Sequence, residues 1–296
     1  MSLCLSFAFG AMLMLVCTAA SAVISITDDR GESVTLKQPA QRIISLAPHI
    51  TELLFAAGAG EHIVGTVEYS NYPEAAKRIP RIGNNLQFDL ERIVSLKPDL
   101  IVVWLHGIAQ RQLDRLLELG IPVFYNEPRR LGDIARSIEQ FGRLAGTETV
   151  ALPTAHAFAA REAALRERYA GRAAVNVFYQ VWERPLMTIN GDHIISDVIR
   201  LCGGQNVFAD LKPLVPRIST EAVLDADPEA IVTSIFDTKA QGSLDGWKKW
   251  PRIKAVARNN LFLIPADLIS RPTTRILDGA QLMCEDLDAA RAKRPQ

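Results

Sequence analysis

One segment of this sequence occurs twice, and the repeat constrains the fold more than any other feature. FDLERIVSLKPDLIVVW, residues 88–104, returns 130 positions later as ISTEAVLDADPEAIVTS, residues 218–234. Both copies read as a helix that stops before a proline and gives way to an apolar strand. The shift places Glu91 on Glu221, each on the first turn of its helix. The repeat therefore predicts a chain made of two similar halves.

A second pair of segments supports the two halves. TELLFAAGAG, which starts at Thr51, aligns with SDVIRLCGG, which starts at Ser196, at a constant shift of 145 residues. The shift also places Glu52 on Asp197. Thr51 is predicted to be the N-cap of its helix, with Glu52 at the positive helix start and Gly58 as the C-cap.

Within each half, apolar strand patterns alternate with helical ones. The predicted strands are 42–47, 62–67, 99–104, 121–126, 175–182, 229–234 and 260–267. Continuous apolar strands in this alternation indicate parallel sheets that are covered by helices on both faces. The fold class is therefore predicted to be α/β, with two parallel-sheet lobes.

A strand-free segment rich in Ala, Glu and Arg separates the two sets of strands. From Pro153 onward it reads as one long helix, with the proline tolerated in the first turn. The predicted division is an N-terminal lobe at 23–146, a connecting backbone helix at 147–171 and a C-terminal lobe at 172–296. Open parallel sheets bind ligands beyond the carboxyl ends of their strands, so a ligand cleft is expected between the lobes.

The N-terminus reads as a secretory signal peptide. LCLSFAFGAMLMLV, residues 3–16, is an apolar run shorter than the roughly 20 residues of a membrane-spanning helix. Ala20-Ser21-Ala22 matches a signal-peptide cleavage site, although no Lys or Arg precedes Arg30. Residues 1–22 are therefore predicted to be removed and the mature chain to be exported. The alternative is an uncleaved anchor, as in a signalling receptor ectodomain.

Two cysteines, Cys202 and Cys284, remain after this segment is removed. An even number of cysteines in an oxidising compartment favours a disulfide, and two buried free thiols are the alternative. The bond would close a long loop and stabilise the fold by up to ~4 kcal/mol in the chain-entropy description.

Composition and motifs argue for binding rather than for catalysis or nucleic-acid recognition. The 33 basic and 33 acidic residues balance, whereas nucleic-acid-binding domains usually carry a basic excess. The sequence contains no G-x-S-x-G elbow, P-loop or dinucleotide fingerprint, and its five histidines do not have metal-ligand spacing. No metal, catalytic residue or cofactor is expected, and an extracytoplasmic enzyme on the same scaffold is the weaker alternative.

Several segments resemble the periplasmic substrate-binding proteins of ABC importers, in the class with a helical backbone that binds cobalamin, haem and ferric siderophores. The resemblance runs from Arg42 to Leu287 and is carried by RIISLAPHITELLFAAGAGEHIVGTVEYSNYP, LERIVSLKPDLIVVW, CGGQNVF, PEAIV and WPRIKAVARNNLFLIPAD. It implies a monomer that delivers a small-molecule ligand to a permease dimer with its ATPase subunits. In this family one acidic residue on each lobe docks on permease arginines, and the matching positions are Glu91 and Glu221.

The resemblance implies cobalamin or a related corrinoid as the transported ligand. Tyr69, the spacing from Asp267 to Arg271 and the cysteine pair carry this implication. The implied ligand contacts are Tyr69, Asp267, Leu268, Ile269, Ser270 and Arg271. A flat corrin needs an apolar or aromatic wall, so Trp104 at the end of its strand is a further candidate and Trp182 a weaker one.

Three positions depart from the cobalamin pattern. Asn85 replaces a tryptophan six residues before Glu91, and Met187 and Val215 stand where the resemblance implies aromatic residues. The less aromatic pocket keeps haem and ferric siderophores as alternative ligands. The candidate haem ligands are His49, His106 and His193. The candidate siderophore-binding cations are Arg217, Arg271 and Arg275.

Overall fold

The computed structural model of this chain describes residues 23–84, 87–236 and 244–295. The predicted signal segment, residues 1–22, and Asn85 lie outside the described residues. The strands are β1 Ile24–Thr27, β2 Ser33–Leu36, β3 Ile43–Ser45, β4 Ile63–Thr66, β5 Leu100–Trp104, β6 Val123–Asn126, β7 Val175–Gln180, β8 Trp182–Glu183, β9 Leu186–Met187, β10 Gly204–Asn206, β11 Ala230–Ile235 and β12 Leu261–Pro265.

Helices connect these strands and cover the sheets. They are α1 Pro48–Ala56, α2 Leu90–Ser95, α3 Gln110–Leu117, α4 Leu131–Ala145, α5 Glu148–Tyr169, α6 Ile194–Leu201, α7 Thr220–Ala226, α8 Lys254–Ala257, α9 Ala266–Ile269 and α10 Ile276–Ala292. None of the helices in the described ranges is long and apolar enough to cross a membrane.

Each lobe is built on a four-stranded parallel sheet. The N-terminal sheet has the order β4-β3-β5-β6 and the C-terminal sheet the order β10-β7-β11-β12. Numbered along the chain within each lobe, both orders read 2-1-3-4. The predicted α/β class with two parallel-sheet lobes is confirmed. The β1–β2 and β8–β9 hairpins and strand β10 were not predicted, because segments this short carry little hydrophobic periodicity.

The repeated segment forms the same unit in both lobes. Asp89 and Ser219 cap α2 and α7, and their side chains accept hydrogen bonds from the backbone N–H three residues on, at 2.9 and 3.2 Å. Both helices are followed by a residue in the left-handed region, Lys97 with φ 47° and Asp227 with φ 41°. A proline and then β5 or β11 come next. The shift of 130 residues is therefore a structural equivalence.

The prediction that Thr51 caps α1 is wrong. The helix begins at Pro48. Backbone N–H groups in the first turn have no partner within the helix, so a proline, which has no N–H, loses nothing there, and its fixed φ already suits a helix. Thr51 is fully buried inside the helix, and its hydroxyl lies 2.7 Å from Thr66 Oγ1 and 2.8 Å from Ser45 Oγ. It ties α1 to the carboxyl ends of β3 and β4 instead of starting the helix.

The predicted start of the long helix at Pro153 is also wrong. Helix α5 begins at Glu148, so that Pro153 lies inside it. Thr147 precedes the helix and donates its hydroxyl hydrogen bond to Ala57 O at 2.6 Å, which anchors this end on α1. The loss of one backbone hydrogen bond at Pro153 is offset by packing, since Ala151, Ala155 and further residues of α5 are buried. The lobe boundaries at 146 and 172 stay predictions.

A single apolar core runs through both lobes and beneath α5. Its members include Val102 of the N-terminal sheet, Phe158 of α5, and Val177 and Val232 of the C-terminal sheet. Two smaller clusters cover the other faces of the sheets, one in each lobe. The two lobes therefore share buried surface rather than being tethered by a flexible linker.

The disulfide predicted between Cys202 and Cys284 is confirmed. Cys202 lies at the end of α6 and Cys284 lies in α10, with their Cα atoms 4.7 Å apart and both side chains fully buried in the shared core. The bond spans 82 residues of sequence and fastens the last helix of the chain to the first helix of the C-terminal sheet.

We expect the double variant Cys202→Ala/Cys284→Ala to lose roughly 2–4 kcal/mol of unfolding free energy, because the cross-link restricts a long loop in the unfolded chain. Urea unfolding followed by circular dichroism measures the change. Reducing agent should lower the stability of the parent protein and leave the double variant unaffected. Equal stability of the two proteins under oxidising conditions would contradict the expectation.

Candidate functional site

The predicted site residues lie at the carboxyl ends of parallel strands from both lobes. Tyr69 follows β4, Trp104 ends β5, and Asp267 lies in α9, directly after β12. In a sheet of order 2-1-3-4, the connections leaving strands 1 and 3 diverge, which opens a crevice between those two strands. Trp104 stands at this crevice in the N-terminal lobe, and Trp182 and Phe236 stand at the equivalent place in the C-terminal lobe.

Two aromatic side chains form the N-terminal wall of this site. Tyr69 is 74% exposed on a backbone with φ 65°, and Trp104 is 37% exposed. The Trp104 ring is held edge-on against His49, with centroids 5.6 Å apart, and covers Gly107, where any Cβ atom would collide with the indole. The wall therefore combines a fixed indole with an accessible phenol, which suits a large ligand with an apolar face.

The C-terminal lobe offers a pocket of about 700 Å³. Trp182, 59% exposed, and Phe236, 83% exposed, line it together with Ser234 and Ser270. The Ser270 hydroxyl donates to Ser234 Oγ at 3.1 Å, so a small polar patch lies beside the two aromatic rings. This volume is in the range of small-molecule sites, and an apolar wall with few polar groups is their usual lining.

Phe236 was missed by the sequence reasoning. The predicted strand ended at residue 234, whereas β11 continues to Ile235 and Phe236 is the first residue beyond it. The position of Phe236 could have been recognised from the sequence, because residues that follow the carboxyl end of a parallel strand lie at the edge of the sheet where ligands bind. Met187 and Val215 are half-buried, and Met187 is the cross-strand partner of Trp182 in the β8–β9 hairpin.

The segment 267–271 divides between the surface and the core. Asp267 and Ser270 are accessible, and Leu268 is half-buried. Ile269 was predicted to contact ligand, but its side chain is fully buried in the shared core and does not line the site. The reason is helical geometry: Ala266 and Ile269 are three residues apart in α9 and face the same buried side.

Arg271 lies under the site rather than in it. Its side chain is only 12% exposed, and the guanidinium is 2.9 Å from Glu52 Oε1, Asn71 Oδ1 and Asp267 Oδ1. Arg275 forms a forked pair with the same Glu52, at 2.7 and 3.0 Å. Burial alone would lower the pKa of Arg275, but its hydrogen bond and charge contact with Glu52 raise it above the usual value. These contacts join the lobes.

The histidines considered as iron ligands differ in exposure: His49 is buried, His193 is half-buried and His106 is exposed. Burial, assisted by the charge of Arg271, lowers the pKa of His49 to about 3, and burial lowers the pKa of His193 to about 4. His193 Nδ1 accepts a hydrogen bond from Ile195 N at 3.2 Å as the cap of α6. His106 is exposed and lies 3.0 Å from Glu127. Of the cation candidates, Arg217 is exposed, and Arg271 and Arg275 are held by Glu52.

The two repeated glutamates occupy matching places on the surface. Glu91 and Glu221 are each the second residue of their helix, α2 or α7, and both are exposed. Among the described residues, neither forms an ion pair. Hydrogen bonds from its own backbone N–H and from the Ser219 hydroxyl lower the pKa of Glu221. The arrangement presents one unpaired carboxylate on each lobe.

Two α/β lobes on one connecting helix, with exposed aromatic rings at the crevice of each sheet, define a two-lobe ligand-binding protein. The sequence matches the periplasmic binding protein family over residues 43–268, and the chain belongs to that family. No cluster of His, Cys, Asp and Glu in the described part of the chain has the arrangement of a metal site.

Relatives within the family carry the name vitamin B12-binding protein. That of Vibrio campbellii is 37% identical over 258 residues, 86% of this chain and 92% of its own length. That of Vibrio cholerae is 38% identical over 253 residues, 85% of this chain and 91% of its own. The crystal structure of periplasmic vitamin B12 binding protein BtuF of Vibrio cholerae matches with a TM-score of 0.79 at 37% identity, covering 86% of this chain and 98% of that one.

The fold is also shared with a binding protein for another ligand. The periplasmic heme-binding protein RhuT from Roseiflexus matches with a TM-score of 0.73 at 24% identity, covering 85% of this chain and 99% of that one. At this identity the likeness concerns the fold alone, so the ligand must be argued from the side chains of the site.

The depressed pKa of His49 predicts a specific acid sensitivity. Its pKa is near 6.5 when unfolded and about 3 when folded, so the unfolded state binds more protons between these values. The free energy of unfolding therefore falls as the pH drops through this window, by about 2 kcal/mol at pH 5 from this residue. In His49→Gln, the stability difference between pH 7 and pH 5 should shrink by that amount.

Urea unfolding at both pH values tests this expectation. His156→Gln is the matched control, because His156 is exposed on α5. The control should keep the pH dependence of the parent protein. An unchanged pH dependence in His49→Gln would show that His49 does not titrate differently in the two states.

Proposed function

We propose that this protein captures cobalamin or a related corrinoid in the periplasm and delivers it to an ABC importer. The observation that carries the proposal is the pair of exposed aromatic walls at the crevices of the two sheets, joined at their base by Arg271. The names of the relatives at 37–38% identity support it. Cobalamin is then a transported ligand and not a cofactor of the protein.

The chemistry of the walls suits a corrin ring. A corrin has broad apolar faces and a rim of amides, so it needs flat side chains together with a few donors and acceptors. Trp104 and Tyr69 offer the flat surface on one lobe, and Trp182 and Phe236 offer it on the other. Asp267 and Ser270 supply accessible polar atoms after β12. The aromatic side chains of the two walls would supply the flat surface that Met187 and Val215 do not provide.

The alternative ligands fit these side chains less well. To bind iron, His49 would have to leave the interior, whereas His193 caps α6 through Nδ1 and His106 is paired with Glu127. A catecholate siderophore needs several free cations, whereas Arg271 and Arg275 are paired with Glu52 and, of the three candidates, Arg217 alone is exposed. The corrinoid reading requires no such rearrangement.

Transport, rather than catalysis, follows from the same proposal. Residues 1–22 would direct export, and the monomeric mature chain would dock on a permease dimer through Glu91 and Glu221. A two-fold permease meets a protein whose lobes repeat the same unit, so one anchor on each lobe satisfies both halves of the interface. Exposed, unpaired carboxylates are available for permease arginines without breaking an internal ion pair.

Calorimetric titration of the purified protein with cyanocobalamin tests the ligand. We expect one-to-one binding, weakened about 5- to 30-fold in Tyr69→Ala and in Trp104→Ala, because each loses aromatic surface worth ~1–2 kcal/mol. Trp250→Ala is the control, since Trp250 has similar exposure to Trp104 but lines a different pocket. Haemin and a ferric siderophore serve as comparison ligands. Tighter binding of either one, with no cobalamin binding, would overturn the proposal.

Charge reversal tests the docking surface. Glu91→Arg and Glu221→Arg should each weaken the complex with the purified importer of the same organism at least tenfold, because like charges would then meet at the interface. Cyanocobalamin affinity should stay unchanged. Glu118→Arg, an exposed glutamate after α3, is the matched control. Surface plasmon resonance measures the complex, and unaltered docking of both variants would exclude these two anchors.

A further inference from the structure

A buried carboxylate of the N-terminal lobe is shared by two arginines of the C-terminal lobe. Glu52, on α1, is only 3% exposed at its side chain. Its Oε1 atom lies 2.9 Å from Arg271 and 2.7 Å from Arg275, and its Oε2 atom lies 3.0 Å from Arg275 Nε. Charge-assisted, forked contacts of this kind fix direction as well as distance. The carboxylate therefore fixes where both guanidinium groups lie.

The two arginines in turn hold the segments that carry the proposed ligand contacts. Arg271 donates to Asn71 Oδ1, two residues after Tyr69, and pairs with Asp267 Oδ1, both at 2.9 Å. The Arg275 guanidinium lies over the Tyr72 ring, 4.0 Å from its centroid. Each arginine thus touches Glu52 and the loop that contains Tyr69, and Arg271 also touches the acid that begins the C-terminal contact segment.

We propose that Glu52 is a positioning residue for ligand binding. It acts through Arg271 and Arg275 to lock the loop 69–73 of one lobe to the segment 267–275 of the other, so that Tyr69 and Asp267 keep a fixed separation. The inference rests on the proposed function for its ligand. Without the Glu52 charge, Arg271 would keep Asp267 as its carboxylate partner and Arg275 would have none among the described residues, and the cost of burying that excess charge favours their release toward water.

The C-terminal lobe contains a matched control for this idea. Asp197 is equivalent to Glu52 by the shift of 145 residues and is likewise buried. Its carboxylate accepts a hydrogen bond from Leu131 N at 2.9 Å and pairs with Arg166 at 3.1 Å and Arg200 at 3.3 Å. It therefore also links the lobes, but its bonds go to α4, α5 and α6 and not to the ligand segments.

Two measurements on Glu52→Gln and Asp197→Asn test the proposal. The first is hydrogen–deuterium exchange of the ligand-free protein. Glu52→Gln should exchange at least tenfold faster in both 69–73 and 267–275, whereas Asp197→Asn should leave these two segments as they are. The second is titration with cyanocobalamin, in which Glu52→Gln should bind at least tenfold more weakly and Asp197→Asn should bind like the parent protein.

A variant series separates positioning from general stability. If Glu52 acts through Arg271, then Glu52→Gln should weaken binding little further once Arg271→Ala is present. Glu52→Asp keeps the charge but is too short to reach both arginines, so it should show the same loosening with less risk to folding. Equal effects of Glu52→Gln and Asp197→Asn on binding, or unchanged exchange in both segments of Glu52→Gln and Glu52→Asp, would overturn the proposal.

The two readouts also separate this inference from the proposed function. If the parent protein does not bind cyanocobalamin, the corrinoid assignment fails, and the exchange experiment still decides whether Glu52 couples the two segments. If the parent protein binds and the Glu52 variants bind equally well, the ligand assignment stands and the positioning role is rejected.

Discussion

The continuous apolar core beneath α5 is the constraint on which the rest of this structure depends. Phe158 of that helix packs in one cluster with Val102 of the first sheet and Val177 of the second. Separating the lobes would expose this surface at a cost of about 25 cal/mol per Å². The crevices of the two sheets are therefore held in one arrangement, and large opening motions of the kind seen with flexible linkers are not expected.

Four acidic residues, related in pairs by the internal repeats, acquire different tasks from their surroundings. Glu91 and Glu221 lie at exposed helix starts without an ion pair among the described residues, where a carboxylate is available to a partner. Glu52 and Asp197 are buried, and their carboxylates form ion pairs and hydrogen bonds that join the two lobes. In the proposed function the exposed pair serves docking, whereas the buried pair holds the lobes together, because desolvation makes an unpaired buried charge too costly to keep.

The candidate site follows the same division between rigid and accessible parts. Trp104 is fixed by His49 and by the bare backbone of Gly107, and Arg271 is enclosed by its partners. Tyr69 and Phe236 project from this frame with most of their surface exposed. A site built in this way is largely formed before the ligand arrives, so binding loses little free energy to the ordering of side chains and loops.

The sequence by itself determined the α/β class and the two-lobe repeat, because apolar periodicity and repeat spacing can be read directly along the chain. It favoured the Cys202–Cys284 bond through the even number of cysteines and the oxidising compartment, and left two free thiols as the alternative. It also located Tyr69 and Trp104 at strand ends. Only the tertiary structure decided that Ile269 belongs to the core, that Phe236 lines a pocket and that Arg271 forms an ion pair with Glu52. Those outcomes depend on contacts between residues that are far apart in the sequence. Arg271 and Glu52, for example, are separated by more than 200 residues. No local pattern encodes such a meeting, since burial and ion pairing are set by the packing of both lobes together.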